Sequence, residues 1–319
     1  MRSAPAVLLG VYVLTVALAL PLAFTMGGLL QAHLGNSLAA ERVAQGVDYD
    51  WWQEFSSQAS GIGTTFTPAI IGFAATLDNI SSVLDGQREA AAILGAIALY
   101  LAAWTFLVGG IIDRYARQRT VRASGFFAAS GVHFFRLLRL AVVAAIVYGW
   151  LFGYVHPWLF AEWLRDHTRT MAVERDVFIW RIALYAVFGG LLILVNVIFD
   201  YAKIRIVVED RRSALGALAA AMRFVWRRRG QVLGLYALNG LAFLVLVAAW
   251  AAIDPGANRS VTMWLAVAAG QLYVLARLAL KLQFLASQTA LFQSLLAHAS
   301  YTAAPVPSWP DSPAAELLR

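Results

Sequence analysis

Six stretches of about 20 mostly apolar residues recur along the chain, at roughly 5–30, 90–112, 137–155, 178–200, 231–253 and 261–285. A helix of that length spans a hydrocarbon layer about 30 Å thick, and inside lipid a helix satisfies all of its own backbone hydrogen bonds. The expected fold class is therefore all-α: a polytopic transmembrane helical bundle of about six spans. Charged residues make up only 13% of the 319 positions, against about 25% in an ordinary soluble domain. The absence of Cys excludes disulfide scaffolds, thiolate metal sites and a cysteine nucleophile. The run Ala6–Phe24 behind Arg2 exceeds the apolar region of about 7–15 residues of a signal peptide, so it reads as an uncleaved anchor.

The basic residues are unevenly placed. With six spans and both termini on the cytoplasmic side, 18 of the 25 Lys and Arg fall inside and 7 outside. The positive-inside rule then gives a multi-pass protein of a bacterial cytoplasmic membrane with cytoplasmic N- and C-termini. The formal charge of +7 is thus an orientation signal, and nucleic acid is not an expected partner, since no stretch interleaves aromatic and basic residues as a binding motif would.

Residues 1–300 read as one integral membrane domain, followed by a flexible cytoplasmic tail over 301–319. Two cytoplasmic segments, 113–136 and 200–230, are related. The first leaves its span through Ile112-Asp113-Arg114-Tyr115-Ala116-Arg117 and runs to His133-Phe134-Phe135-Arg136. The second leaves through Phe199-Asp200-Tyr201-Ala202-Lys203-Ile204-Arg205 and runs to Arg223-Phe224-Val225-Trp226-Arg227. Each is expected to carry an interfacial amphipathic helix before the chain re-enters the membrane. In the second, Ser213 is the expected N-cap, and Leu215, Leu218, Met222, Val225 and Trp226 recur at helical spacing as one apolar face. Candidate membrane-surface contacts are Arg211, Arg212, Arg223, Trp226, Arg227 and Arg228.

The outer segment, 31–89, is acidic. Thr67-Pro68 starts an expected amphipathic helix through Ile70, Ile71, Ala74, Leu77, Ile80 and Leu84. Trp51 and Trp52 are expected interfacial anchors. The segment 156–177 contains His156, Glu162, Asp166, His167 and Glu174 in no metal-binding spacing, and reads as a solvated loop.

Ionisable residues within spans are costly and point to function. On the sixth span Gly270, Tyr273, Arg277, Lys281 and Gln288 fall within about 80° of one another, forming a candidate polar stripe. Arg277 and Lys281 are expected to snorkel to the cytoplasmic interface or to pair with Asp113 or Asp200; a ligand-anion site is the alternative. Asn196 and Asn239 are expected to make interhelical hydrogen bonds, and the Gly109-Gly110 and Gly189-Gly190 pairs to permit close helix approach.

The run Phe199-Asp200-Tyr201-Ala202-Lys203-Ile204-Arg205-Ile206-Val207-Val208-Glu209-Asp210-Arg211-Arg212-Ser213-Ala214-Leu215-Gly216 resembles uncharacterised bacterial multi-spanning membrane proteins. The architecture is also loosely similar to the membrane domain fused to glycerophosphodiester phosphodiesterases. Neither resemblance implies an activity, because the metal-binding carboxylates of the phosphodiesterase domain have no counterpart among these residues.

No G-x-S-x-G, P-loop or H-E-x-x-H motif occurs. The expected function is that of a non-enzymatic integral membrane protein, a scaffold or accessory subunit engaging membrane lipids or partner membrane proteins. The alternative is a transporter or permease for a lipid or amphiphilic anion. No cofactor is expected beyond a bound lipid.

Overall fold

The computed structural model describes residues 5–35, 37–45, 48–66, 91–117, 122–171, 173–253 and 263–301. The expected helix over 67–84 and the tail beyond 301 lie outside them. The described chain is helical throughout, and six of its helices are long and apolar enough to cross a membrane. This is a multi-pass, all-α membrane protein.

In chain order the elements are α1 (Pro5–Leu34), α2 (Ala39–Gln45), α3 (Tyr49–Gln58), a 3-10 turn (Gly61–Thr65), α4 (Ala91–Arg117), α5 (Ala123–Trp150), α6 (Leu164–Thr168), α7 (Glu174–Val208), α8 (Ala214–Arg227), α9 (Arg229–Ile253) and α10 (Met263–Tyr301). The spans are α1, α4, α5 continued to Thr168, α7, α9 and α10. One end of the bundle gathers Arg117, Arg136, Arg205 and Arg223–Arg229, and is called the basic end below.

The 156–177 segment is not the expected loop. Beyond Trp150 the third span continues through π-type turns at Leu151–Val155 and Trp158–Trp163 into α6. Pro157 between the two turns has no N–H to give to the preceding turn, and the wider helical turns carry the chain past it. His156 is buried against the rings of Phe160 and Phe188, and His167 stacks on Trp163 at 3.9 Å. Among the described residues no group of three or more His, Asp or Glu side chains is placed to share a metal ion.

Both related segments fold as close helical hairpins, built differently. In the first, residues 123–136 are not a separate interfacial helix: α5 runs unbroken from Ala123 through the span. It packs tightly on α4 because Gly109 and Gly110 leave room; a Cβ on Gly110 would lie 2.3 Å from Ser130 Oγ and 2.9 Å from the Phe126 carbonyl oxygen. Gly190, by contrast, faces open space. In the second segment the helix does break, at Arg228 (φ −118°, ψ 28°), leaving α8 as its own element. Ser213 caps it, its Oγ accepting from the Gly216 N–H at 3.1 Å.

The expected apolar face of α8 is divided. Val225 turns inward with Ala214, Ala217, Ala220 and Ala221, whose small side chains let α8 lie against α7. Leu215, Met222 and Trp226 remain exposed. Tyr201, Ile204, Ile206 and Phe292, here at the basic end, are all 0% exposed. The physical reason is solvent. At about 52 and 58 Å, α7 and α10 outreach the bilayer core. Where they project into water their apolar side chains must be covered by protein, at a gain of about 1.5–3 kcal/mol for each large side chain buried. Within the spans lipid does the covering, so Ile146, Val187, Leu241, Val245 and Leu272 stay exposed.

At the opposite end α2 and α3 fold back on α1. Trp51 is not an interfacial anchor: it is buried with Phe55 and Ala39, and its Nε1 donates to His33 Nδ1 at 3.0 Å. Asp48 caps α3, accepting from the Trp51 N–H at 3.1 Å and from Arg42 Nε at 2.6 Å. Gly61, in the turn that follows, adopts φ +58°, a conformation that favours glycine.

Candidate functional site: a cationic cavity between the spans

Five spanning helices, α1, α4, α7, α9 and α10, enclose a cavity of about 720 Å³, within the size range of small-molecule sites. Its charged side chains come from two of them, α7 and α10. From α7, Asp200 forms an ion pair with Lys203 at 2.7 Å, one helical turn on. Asp200 also accepts from Tyr236 on α9 and Gln288 on α10, each at 3.3 Å. Asn196, one turn earlier on α7, donates to the Tyr236 hydroxyl. Asp200, the one carboxylate lining the cavity among the described residues, is thus held by three helices and neutralised by one lysine.

Two further cations line the same space. Lys281 on α10 donates to the Tyr100 hydroxyl at 3.0 Å, and its ammonium lies 3.6 Å from the centre of the Trp104 ring. Arg277, one turn earlier, lies over Phe243 at 6.0 Å and Tyr273 at 5.8 Å. Among the described residues neither has a carboxylate within ion-pair distance. Aromatic faces compensate both cations, and the Tyr100 hydroxyl compensates Lys281 as well. Three cations against one carboxylate leave the cavity with an excess of two positive charges.

Lys281 pairs with neither Asp113 nor Asp200. Asp113 pairs with Arg117 at 2.9 Å at the basic end of α4. Trp104 and Tyr100 precede Asp113 on that helix by 9 and 13 residues, hence by about 14 and 20 Å. The half-buried Lys281 ammonium therefore lies about that far along α4 from its basic end, on the tyrosine hydroxyl and the indole face.

Of the predicted stripe, Arg277, Lys281 and Gln288 line the cavity, spaced over about 16 Å of α10. Tyr273 touches it only through Arg277 and stacks on Trp250 at 4.7 Å; Gly270 faces open space. Asp200 and Asn196 belong to the site, whereas Asn239 bridges α9 to Ser287 of α10 at 3.0 Å and Asp113 stays with Arg117. Sequence reasoning missed Tyr100, Trp104, Lys203 and Tyr236. An aromatic pair at i and i+4 inside an apolar span was the available signal for the first two.

Behind this wall lies a second, apolar cavity of about 380 Å³, sharing Leu101, Trp104, Asn196 and Lys203 with the first. A polar chamber thus adjoins an apolar one through a common partition. Of the predicted surface contacts, Arg211, Arg223, Arg227 and Arg228 line a separate cleft at the basic end; Arg212 and Trp226 are exposed outside it.

No family model, curated protein or solved structure matches the chain.

Proposed function

We propose that the chain is a non-enzymatic membrane protein that holds an anionic amphiphile between its spans. The observation carrying this reading is the pair Arg277 and Lys281, two cations lining a 720 Å³ cavity between the spans, Lys281 half-buried and Arg277 exposed, with no carboxylate partner among the described residues. An ionised group in the membrane is costly unless it is paired, and such groups mark substrate and ion pathways. An anionic headgroup supplies the missing pairing, and the adjoining apolar chamber accommodates hydrocarbon.

The reading includes placement in a bacterial cytoplasmic membrane with both termini cytoplasmic. Setting aside Arg277 and Lys281, which belong to the cavity, 16 basic residues remain on that side against 7 on the other, so the orientation argument does not depend on them.

The test is to purify the protein in mild detergent and quantify anionic lipid per chain by mass spectrometry of the extract. About one tightly retained anionic lipid is expected for the unaltered chain, and none for R277Q/K281M. Equal retention by the two would overturn the reading. A scaffold or accessory subunit would keep this lipid as a resident part. The length of the cavity, about 16 Å from Arg277 to Gln288 along α10, favours a carrier as a second reading. Protein-dependent movement of a fluorescent anionic lipid between vesicle leaflets would select the carrier, and retention without movement the scaffold.

A further inference from the structure

At the basic end, outside the spans' cavity, α7, α8 and α10 form a second cleft of about 330 Å³. Five arginines line it: Arg205 and Arg211 from α7 and the turn after it, and Arg223, Arg227 and Arg228 from α8 and its C-cap. Glu209 is the one carboxylate paired with any of them among the described residues, bound at once by Arg205 at 3.2 Å and by Arg211. Four positive charges are left over. Arg205 is held rigidly, its guanidinium lying over Phe224 at 5.6 Å and Phe292 at 5.2 Å. Its Nε is buried without a hydrogen-bond partner, and a buried donor left unmade calls for one. Guanidiniums converging from separate elements match the fork geometry with which phosphate oxygens are bound.

The surroundings identify the source of the phosphate. On α8, Leu215, Met222 and Trp226 form an exposed apolar stripe, with Trp226 70% exposed. Arg223 and Arg227 follow Met222 and Trp226 in sequence and so stand about 100° round the helix from them. A helix with bulky apolar side chains on one flank and arginines on the next lies in the interface, the first among acyl chains and the second at headgroup level. Leu295 and Leu296 of α10 line the cleft as well.

We propose that this arginine cleft binds the phosphate of an anionic phospholipid in the leaflet at the basic end, with the Leu215, Met222 and Trp226 stripe seated in that lipid layer. The site is separate from the intramembrane cavity and does not depend on it.

The test uses the full chain in neutral detergent, carrying R277Q/K281M so that the intramembrane cavity contributes no cations. Dioctanoyl phosphatidylglycerol, dioctanoyl phosphatidylcholine and water-soluble glycerol phosphate are each titrated, and bound molecules are counted by native mass spectrometry. Phosphatidylglycerol is expected to bind in preference to both others. R223Q/R227Q should weaken it by about tenfold or more, since two headgroup-level guanidiniums are lost, and R223K/R227K should weaken it less. R122Q/R139Q, which removes equal charge from α5 at the same end, should leave it unchanged. Equal binding of phosphatidylcholine, no effect of R223Q/R227Q, or an equal effect of R122Q/R139Q would overturn the proposal. Glycerol phosphate bound as tightly as the lipid would overturn the lipid source in favour of a soluble phosphate. Melting temperatures of all variants, and the Lys pair in particular, separate loss of binding from loss of fold.

Discussion

Lys281 is a half-buried ammonium with no carboxylate beside it among the described residues, held by the Tyr100 hydroxyl and the Trp104 ring. Its environment makes a claim on function that conflicts with stability. Replacing a buried charge by an apolar side chain of similar volume is often neutral or stabilising, so K281M should melt in detergent at a temperature no lower than the unaltered chain while losing its retained anionic lipid. A marked fall in melting temperature would instead make Lys281 a structural residue. Helical spacing put Arg277, Lys281 and Gln288 on one side of α10 from the sequence, because azimuth follows from position at 100° per residue. It said nothing of what that side faces. Tyr100 is 181 positions away from Lys281, and no local pattern links two residues on different helices.

Helix pairing at the basic end rests on small residues, and its tolerance can be read from single positions on those helices. G110A would drive a methyl group against Ser130 Oγ and the Phe126 carbonyl; forcing α4 and α5 apart should cost about 1–3 kcal/mol, measurable as a lowered melting temperature. G190A, in open space, should leave it unchanged. Sequence alone treats Gly109-Gly110 and Gly189-Gly190 as equivalent pairs, since packing partners and not the glycines decide. Between α7 and α8, Asp210 (φ 49°) bonds Arg136 of α5 across the turn. The Arg136 hydrogen bond and charge hold the Asp210 carboxyl below its ordinary value. Because the folded value is the lower one, the contact contributes fully above the usual Asp value of about 3.9 and is lost as pH falls through the folded value. Exchange of the Glu209 amide, which donates to the Arg205 carbonyl at 3.0 Å at the start of this turn, corrected for its intrinsic acid dependence, should therefore stay slow down to about pH 4 and quicken below it. R136Q should be fast throughout; slow exchange in R136Q at neutral pH would remove Arg136 from the account. The Ser213 cap of α8 was legible from its residue type and position, but the burial of its alanines was not: bulk suggested an apolar face of Leu215, Leu218, Met222, Val225 and Trp226, whereas closeness of approach selected the small side chains for the protein side.

At the scale of the whole molecule, the bundle is closely packed where it leaves the lipid and open where lipid surrounds it. The chain lacks Cys, so single cysteines report orientation directly. Under the proposed topology S57C on α3 should react with an impermeant maleimide in intact cells, and R228C only after permeabilisation; the reverse pattern would invert the molecule. Length, hydropathy and the placement of Arg determined the six spans, the helical class and the expected orientation, since each is a property of contiguous residues and solvent, summed along one dimension. Tertiary structure decided what the charges do. Asp200, Tyr236 and Gln288 meet only because α7, α9 and α10 pack together, and the arginines of α8 form a cleft only because Arg205 and Leu296 approach from two other helices. Electrostatic energy depends on separation in space and on local dielectric, and neither is a function of distance along the chain.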